Sequence, residues 1–207
     1  ENTSIATGGR NAETIESAKR YAPLYYRSQD RLVTLEDYKG HANSFASNYG
    51  STGKAAAVVR RAFSSANVID LFVLEKASDT QLRRATQEYK KQLLESLQPK
   101  KMLTDEVVVV DGLIRTLDVF LVITLDSNYK LGQNQIIQSA RELTQQYFNV
   151  DNNDFGESFV PQDLIRFLLD NETNIRFARV DNVESPISVG FNEIIQLNNL
   201  NITTSFV

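Results

Sequence analysis

The feature that most constrains the fold is a period-two pattern of apolar residues between Gly112 and Asp126. Successive side chains of a β-strand point to opposite faces, so a pattern with this period predicts one long strand with one buried face. Such a strand needs neighbouring strands and a covering layer, which places it in a sheet packed against other elements. The alternate apolar positions are Leu117, Val119, Leu121, Ile123 and Leu125.

The first half of the chain predicts two helices, a strand hairpin, a third helix and a valine-rich strand. Apolar residues at steps of three and four predict the helices, and runs of β-branched residues predict the strands. Pro23 interrupts the first helix late, and Pro99 follows the third. We expect the valine-rich strand to be buried on both faces. The predicted helices cover residues 12–27, 34–47 and 79–97, and the predicted strands cover residues 55–63, 68–75 and 106–111.

The second half adds two amphipathic helices and two more strands after the period-two strand. One helix is predicted at 132–148, and a shorter one begins near Pro161, a residue favoured in a first helical turn. Strands are predicted at 174–183 and 191–197, followed by an extended tail through Leu200 and Ile202.

This order of elements predicts an α+β fold. It contains two small mixed α/β sandwich units, ββαβ and βααββ, preceded by an N-terminal helical segment. The predicted boundaries are 1–53 for the helical segment, 54–112 for the first α+β unit and 113–207 for the second. The strands on either side of Gly112 could equally share one sheet. Candidate hinges are residues 48–53 and the Gly112 region.

Composition excludes several classes of site. The chain contains no cysteine and a single histidine, His41, so thiolate metal sites, disulfides and paired-histidine zinc sites are ruled out.

A formal net charge of −4 disfavours nucleic-acid binding. No apolar run reaches the roughly 18 residues that span a bilayer, so we expect no membrane partner. Because the sequence begins with Glu1, we expect it to be a piece of a longer polypeptide.

A possible phosphate-binding loop at residues 50–54 does not meet the requirements of that motif. The P-loop needs a glycine five residues before its Gly-Lys pair and a hydroxyl residue after the lysine. Asn48 occupies the first of these positions and Ala55 the second. A flexible turn is the better interpretation, and no nucleotide cofactor is predicted.

A possible calcium loop at residues 151–156 fails in the same way. Asp151, Asn153 and Gly156 have suitable offsets, but Phe155 stands at a ligand position and Gln162 replaces the bidentate glutamate. The interpretation is a polar loop, so no metal is predicted. Other carboxylates are plentiful, and their separations cannot be read from sequence, which leaves a paired acid/base site open.

The most specific motif in the chain lies between Gly8 and Tyr38. Residues 8–23 read Gly-Gly-Arg-Asn-Ala-Glu-Thr-Ile-Glu-Ser-Ala-Lys-Arg-Tyr-Ala-Pro. After Arg27, Asp30 and Arg31 come Val33-Thr34 and Glu36-Asp37-Tyr38. This segment resembles the signature of the baseplate J-like family, and within it most closely the wedge subunits of T4-like contractile-tailed phages. A weaker similarity continues in the helix after Gly132, the Phe155-Gly156-Glu157 turn and the helix with Asp163-Leu164.

Eleven residues of the signature are predicted to form a structural or interaction motif. Thr34 and Asp37 have the spacing of a capping box, and Pro23 is expected to stop a helix. The arginines either bridge carboxylates and carbonyls within or between subunits, or form surface salt bridges of little energetic value. The predicted motif residues are Gly8, Gly9, Glu13, Ala18, Lys19, Pro23, Arg27, Arg31, Thr34, Asp37 and Tyr38.

The resemblance implies a structural protein and not an enzyme. Its expected partners are copies of itself, as a homodimer and as ring neighbours, and other baseplate wedge proteins. The expected location is the baseplate of the virion, after assembly in the host cytoplasm, in an inner ring around the hub that rearranges when the sheath contracts. The resemblance implies no cofactor.

Two other functions stay open from the residues alone. One is an enzyme on a ferredoxin-like core with carboxylate chemistry, which a deep pocket with several acidic side chains would favour. The other is a cytosolic ferredoxin-like binding or oligomerisation module, which a long unpaired strand edge would favour.

Overall fold

The computed structural model describes residues 29–61, 67–126 and 132–207, and five separate positions before them. These positions are Ile15, Lys19, Ala22, Pro23 and Tyr26. The fold is α+β, with helices and two small sheets. The chain divides into two compact units: an N-terminal unit, which extends to Lys76 and continues through Leu82–Leu113, and a C-terminal unit, Ala77–Gln81 with Ile114–Val207.

The N-terminal unit is a sheet with two helices. Strands β1 and β2 form an antiparallel hairpin, in register from Gly53 opposite Glu75 to Arg61 opposite Asn67. Strand β4 runs parallel to β2, and the short strand β3 also pairs with β2. In chain order the elements are α1 (Leu35–Ser44), β1 (Gly53–Arg61), β2 (Asn67–Ser78), β3 (Gln81–Arg84), α2 (Gln87–Leu97) and β4 (Asp105–Asp111).

The core of this unit lies between its helices and one face of the sheet. Helix α2 buries a stripe of apolar residues at helical spacing against the sheet, and α1 contributes Tyr38 and Ala42. The buried stripe is Tyr89, Leu93 and Leu97, and the sheet contributes Ile69, Leu71 and Val73.

The C-terminal unit has helices on one face of a three-stranded sheet ordered β6-β5-β7. Strands β5 and β6 are antiparallel. Asp118 on β5 contacts Asn198 on β7, and Thr124 contacts Ser205, so these two strands run parallel. The elements are β5 (Leu113–Leu125), α3 (Gln133–Tyr147), α4 (Pro161–Asn171), β6 (Ile175–Val180) and β7 (Glu193–Phe206).

The period-two prediction for β5 is confirmed. The five alternate apolar residues named above are all buried, together with Leu164 and Leu168 of α4 and Ile136 and Ala140 of α3. The opposite face of the sheet exposes Phe120 and Phe177. One face of this sheet therefore forms the core, and the other carries large apolar side chains at the surface.

The predicted helix at 79–97 is only partly right. Residues 81–84 form strand β3, and the helix begins after Thr86, whose hydroxyl accepts a hydrogen bond of 3.2 Å from the Tyr89 amide. Leu82 and Ala85 continue the spacing of the helical stripe and are buried, but Leu82 lies in a strand and Ala85 in the connection before the helix. Periodicity alone could not separate the two conformations at this boundary.

Two further predictions need correction. Strand β4 was expected to be buried on both faces, but Val107 is its only buried valine and Val108–Val110 are half-buried, because among the described strands β4 pairs only with β2 and lies at the edge of the sheet. Pro23 was expected to stop the first helix, yet Pro23 itself has helical backbone, as does Tyr26. By contrast, the tail predicted after Leu197 belongs to the continuous strand β7.

Candidate functional site

Thr34 and Asp37 form the predicted capping box at the start of α1. The Thr34 hydroxyl accepts a hydrogen bond of 3.3 Å from the Asp37 amide. In return, the Asp37 carboxylate accepts bonds from the Thr34 amide at 2.9 Å and the Val33 amide at 3.2 Å. Asp37 is buried, so its charge faces the backbone donors of the helix start. These two signature residues shape the local backbone.

Tyr38 follows directly and is fully buried in the N-terminal core. Its hydroxyl donates a hydrogen bond of 2.9 Å to a carboxylate oxygen of Asp105, at the start of β4. The Asp105 carboxylate also accepts weaker bonds from Asn67 and Thr104, at 3.4 and 3.3 Å. Burial, and next the bond to Asp105, raise the pKa of Tyr38 far above its ordinary value. The phenol therefore stays protonated and serves as a fixed donor joining α1 to the sheet.

Arg31 lies at the surface just before this segment. Its guanidinium donates to the Gln29 side chain at 3.4 Å, an exposed contact between near neighbours in the chain. The adjacent Asp30 forms an ion pair of 2.5 Å with Lys100, and the hydrogen bond from Lys100 lowers the pKa of Asp30. The Leu32 amide donates to the Lys100 carbonyl at 2.9 Å. The turn before α1 is thus fastened to the turn after α2.

The remaining signature residues are not brought into this cluster by the described part of the structure. Lys19 and Pro23 are helical and exposed. Gly8, Gly9, Glu13, Ala18 and Arg27 lie outside the described residues. The structure therefore joins Thr34, Asp37 and Tyr38 through their hydrogen bonds, with Arg31 nearby in the chain.

Asp105 is the residue of this cluster that the sequence did not indicate. It is buried, and 67 positions separate it from Tyr38. No local pattern marks it, because the hydrogen bond depends on the crossover that brings the start of β4 beneath α1. The same is true of Glu75, which is almost fully buried and accepts bonds of 2.7 Å from Arg83 and 3.1 Å from the Thr86 amide.

A small cavity of about 140 Å³ opens beside the signature segment. It is well below the roughly 300 Å³ at the lower end of pockets that hold small organic ligands. Arg31, Asp37 and Tyr38 do not line it; the lining residues are Val33, Leu35, Val59, Asn67, Ile69, Met102, Thr104 and Asp105. This cavity suits a few water molecules better than a metabolite.

The loop at residues 151–156 is hydrogen-bonded to the end of the preceding helix and to Glu157. The Asn153 amide group donates to the carbonyls of Tyr147 and Asn149, and the Asp154 amide donates to the Glu157 carboxylate at 2.9 Å. Across residues 29–61, 67–126 and 132–207, no three or more acidic or histidine side chains converge as a metal site would require.

No helix in the described part of the chain is both long and apolar enough to cross a bilayer. No protein-family model matches the sequence, and no curated protein matches it.

Proposed function

We propose that this chain is a structural subunit of a contractile phage tail baseplate, in the wedge, and that it has no catalytic role. It would associate with copies of itself and with other wedge proteins, forming part of the inner ring around the hub. The ring would hold before infection and rearrange when the sheath contracts.

The observation that carries this proposal is the burial of two signature residues, Asp37 and Tyr38, in the N-terminal unit. Thr34 and Asp37 bind the start of α1, and Tyr38 reaches the buried Asp105 carboxylate. The polar atoms of Asp37 and Tyr38 are bonded within the fold, and neither residue lines the small cavity nearby. A motif used in this way fits a scaffold, in which a firm unit must keep its shape while its surface contacts other proteins.

The baseplate assignment can be tested by locating the protein in virions. Antibodies raised against the 207-residue chain would be applied to intact and contracted particles of the phage that encodes it, followed by electron microscopy with gold labels. We expect gold at the baseplate in both states. A label confined to the head, the tail tube or the infected cell outside particles would overturn the proposal.

A specific observation also favours the second candidate, a cytosolic ferredoxin-like binding or oligomerisation module. The sheet of the C-terminal unit has helices on one face only, and Phe120 and Phe177 are 44% and 58% exposed on the other. An open sheet face of this kind can dock a partner without any tail structure. A protein that is found only free in the cytoplasm, and absent from purified virions, would support this candidate over the baseplate.

A further inference from the structure

Strand β7 forms one edge of the sheet in the C-terminal unit. It is 14 residues long, and in the order β6-β5-β7 its described strand partner is β5. Among the residues that the structure describes, no other strand pairs with the central part of β7, residues 197–205. The amide and carbonyl groups on that side of the strand therefore face outward, where they can bind a further strand.

The edge of β1 in the N-terminal unit is treated differently. The side-chain oxygen of Asn43, on α1, accepts a hydrogen bond of 2.7 Å from the Ala55 amide. Lys54 and Arg60 also place charges on that strand. Charged side chains and covering elements are the usual means of preventing an edge from pairing with another chain. Strand β1 has both.

Strand β7 itself carries few of the residues that usually protect an edge. Glu193, at its first position, is its only charged residue, and the strand contains neither lysine nor proline. Most of its exposed side chains are small and neutral, namely Asn198, Asn199, Asn201, Thr203 and Ser205; Phe206, at its last position, is also exposed. An edge that is long, neutral and free of proline is well suited to strand addition.

The side of β7 that faces the helices is also incompletely covered. Leu200 and Ile202 pack against the core of the C-terminal unit but remain half-buried. A strand added next to β7, with a helix above it, would remove more of these side chains from water. The edge therefore offers both backbone groups and apolar surface to the same partner.

We propose that β7 pairs with β7 of a second copy of this chain, antiparallel and about a two-fold axis, to give one sheet that continues across both copies. Charge favours this occupant, because a second copy brings a neutral strand to a neutral edge. In the antiparallel arrangement the two Glu193 carboxylates lie at opposite ends of the paired strands and do not face each other. The interface is self-complementary and closes at two copies. This pairing assigns a surface to the proposed self-association. Only the role of the dimer in the virion rests on the proposed function.

Cross-linking tests this pairing directly, because the natural chain contains no cysteine. Single cysteines would be introduced at Asn199, Asn201 and Thr203, and at Arg166 on α4 as an exposed control. A residue near the two-fold axis lies opposite its own copy at a separation that permits a disulfide. We expect oxidation to give a covalent dimer for at least one β7 variant and not for R166C. Cross-linking of R166C alone would overturn the proposal.

A charge substitution provides the second test. Thr203→Lys places two ammonium groups at the paired edges of one dimer, whereas Thr116→Lys adds the same charge at an exposed position on β5. Analytical ultracentrifugation of the full 207-residue chain should show dimers that T203K weakens by about tenfold or more and T116K leaves unchanged. Circular dichroism should be the same for all three proteins, and so should the melting temperature at a concentration low enough for all three to be monomeric.

A wild-type chain that stays monomeric at high concentration would overturn the pairing, as would T203K dimers as stable as wild-type dimers. These results are separable from those that bear on the baseplate. Gold at the baseplate combined with a monomeric chain would contradict only the proposed β7 pairing. A β7 dimer that never enters virions would remove only the baseplate assignment.

Discussion

The two units differ in how their interiors are stabilised. The N-terminal unit buries Asp37, Glu75 and Asp105, each hydrogen-bonded to donors from the surrounding backbone or side chains. In the described part of the C-terminal unit, the only buried polar side chain is Thr144, whose hydroxyl donates to the Ala140 carbonyl. One interior therefore depends on specific polar pairs, and the other almost entirely on apolar packing.

The two kinds of interior restrict the fold in different ways. A buried polar pair is worth little net energy when complete, but it is costly when one partner is missing, so it restricts the chain to one arrangement. Apolar packing contributes energy according to the volume filled and distinguishes less strongly between alternatives. The signature segment lies in the unit whose arrangement is specified by polar pairs, as a scaffold with a fixed surface would require.

The largest effect is expected from a cavity in the apolar core of the C-terminal unit. Leu168 on α4 is fully buried, and Leu168→Ala should lower the free energy of unfolding by about 2–5 kcal/mol. Val122→Ala, on the half-buried outer face of β5, should cost less than about 1.5 kcal/mol. Urea unfolding followed by circular dichroism would measure both. Equal losses would contradict a core confined to the helical face.

The next largest effect should follow from removing one partner of the Glu75 pair. Burial disfavours the charged carboxylate, but hydrogen bonds from Arg83, the Thr86 amide and Ser51 outweigh it and hold the pKa of Glu75 below its ordinary value. Arg83→Met should therefore cost about 1–3 kcal/mol, because the buried carboxylate loses its charged donor. The measurement is again urea unfolding.

Arg84 supplies the matched control for that substitution. It lies next in the chain, is 79% exposed, and approaches Asp111 only to 3.9 Å. Arg84→Met should change the unfolding free energy by less than about 0.5 kcal/mol. If both arginine variants lost the same stability, the N-terminal unit would not depend on the Glu75 pair.

A slightly smaller effect is expected for the pair that involves the signature tyrosine. Tyr38→Phe keeps the ring and removes the donor to Asp105, which should cost about 1–2 kcal/mol. Tyr49→Phe is the control, because Tyr49 is 81% exposed, and it should leave stability unchanged. Thermal unfolding would compare the two. An unchanged melting temperature for Y38F would mean that the Tyr38 hydroxyl does not stabilise the fold.

The sequence predicted most of the elements and little of the polar interior, for a physical reason. The alternation in β5, the capping box at Thr34 and the helix beginning at Pro161 are local, since each depends on residues a few positions apart. The division of residues 79–97 between β3 and α2 was missed, because Leu82 and Ala85 fit the helical spacing in either conformation. The backbone at Leu82 is determined instead by the pairing of β3 with β2.

The partners of buried polar groups were not predictable in the same way. Nothing in the local sequence distinguishes Tyr38 and Asp105 from surface residues, although the fold brings them into contact. The same holds for His41 and Ser96. The resemblance drew attention to residues 8–38, but it did not predict which residue each side chain would contact. Such pairs depend on how all the helices and strands are arranged, and no local sequence pattern indicates that arrangement.

The last prediction concerns His41, whose ring nitrogen Nε2 lies 3.0 Å from the Ser96 hydroxyl. Burial lowers the pKa of His41 from 6.5 to about 4, the positive charge of Lys100 adds to this, and Asp30 opposes it. Because the folded-state pKa is below the unfolded value, the unfolded chain binds the proton first as pH falls. The stability that neutral His41 provides is complete above about pH 6.5 and is lost as pH falls towards 4.

From pH 7 to pH 5.5 we therefore expect the unfolding free energy to fall by about 1 kcal/mol, above the range in which ordinary carboxylates titrate. His41→Gln should remove most of that dependence. Since the chain has a single histidine, its ring proton signals in an NMR titration are assigned without ambiguity. A midpoint near 6.5 in the folded protein would mean that the His41 ring is solvated. His41 would then not belong to the buried polar pairs of the N-terminal unit. The interiors of the two units would differ less in their polar content.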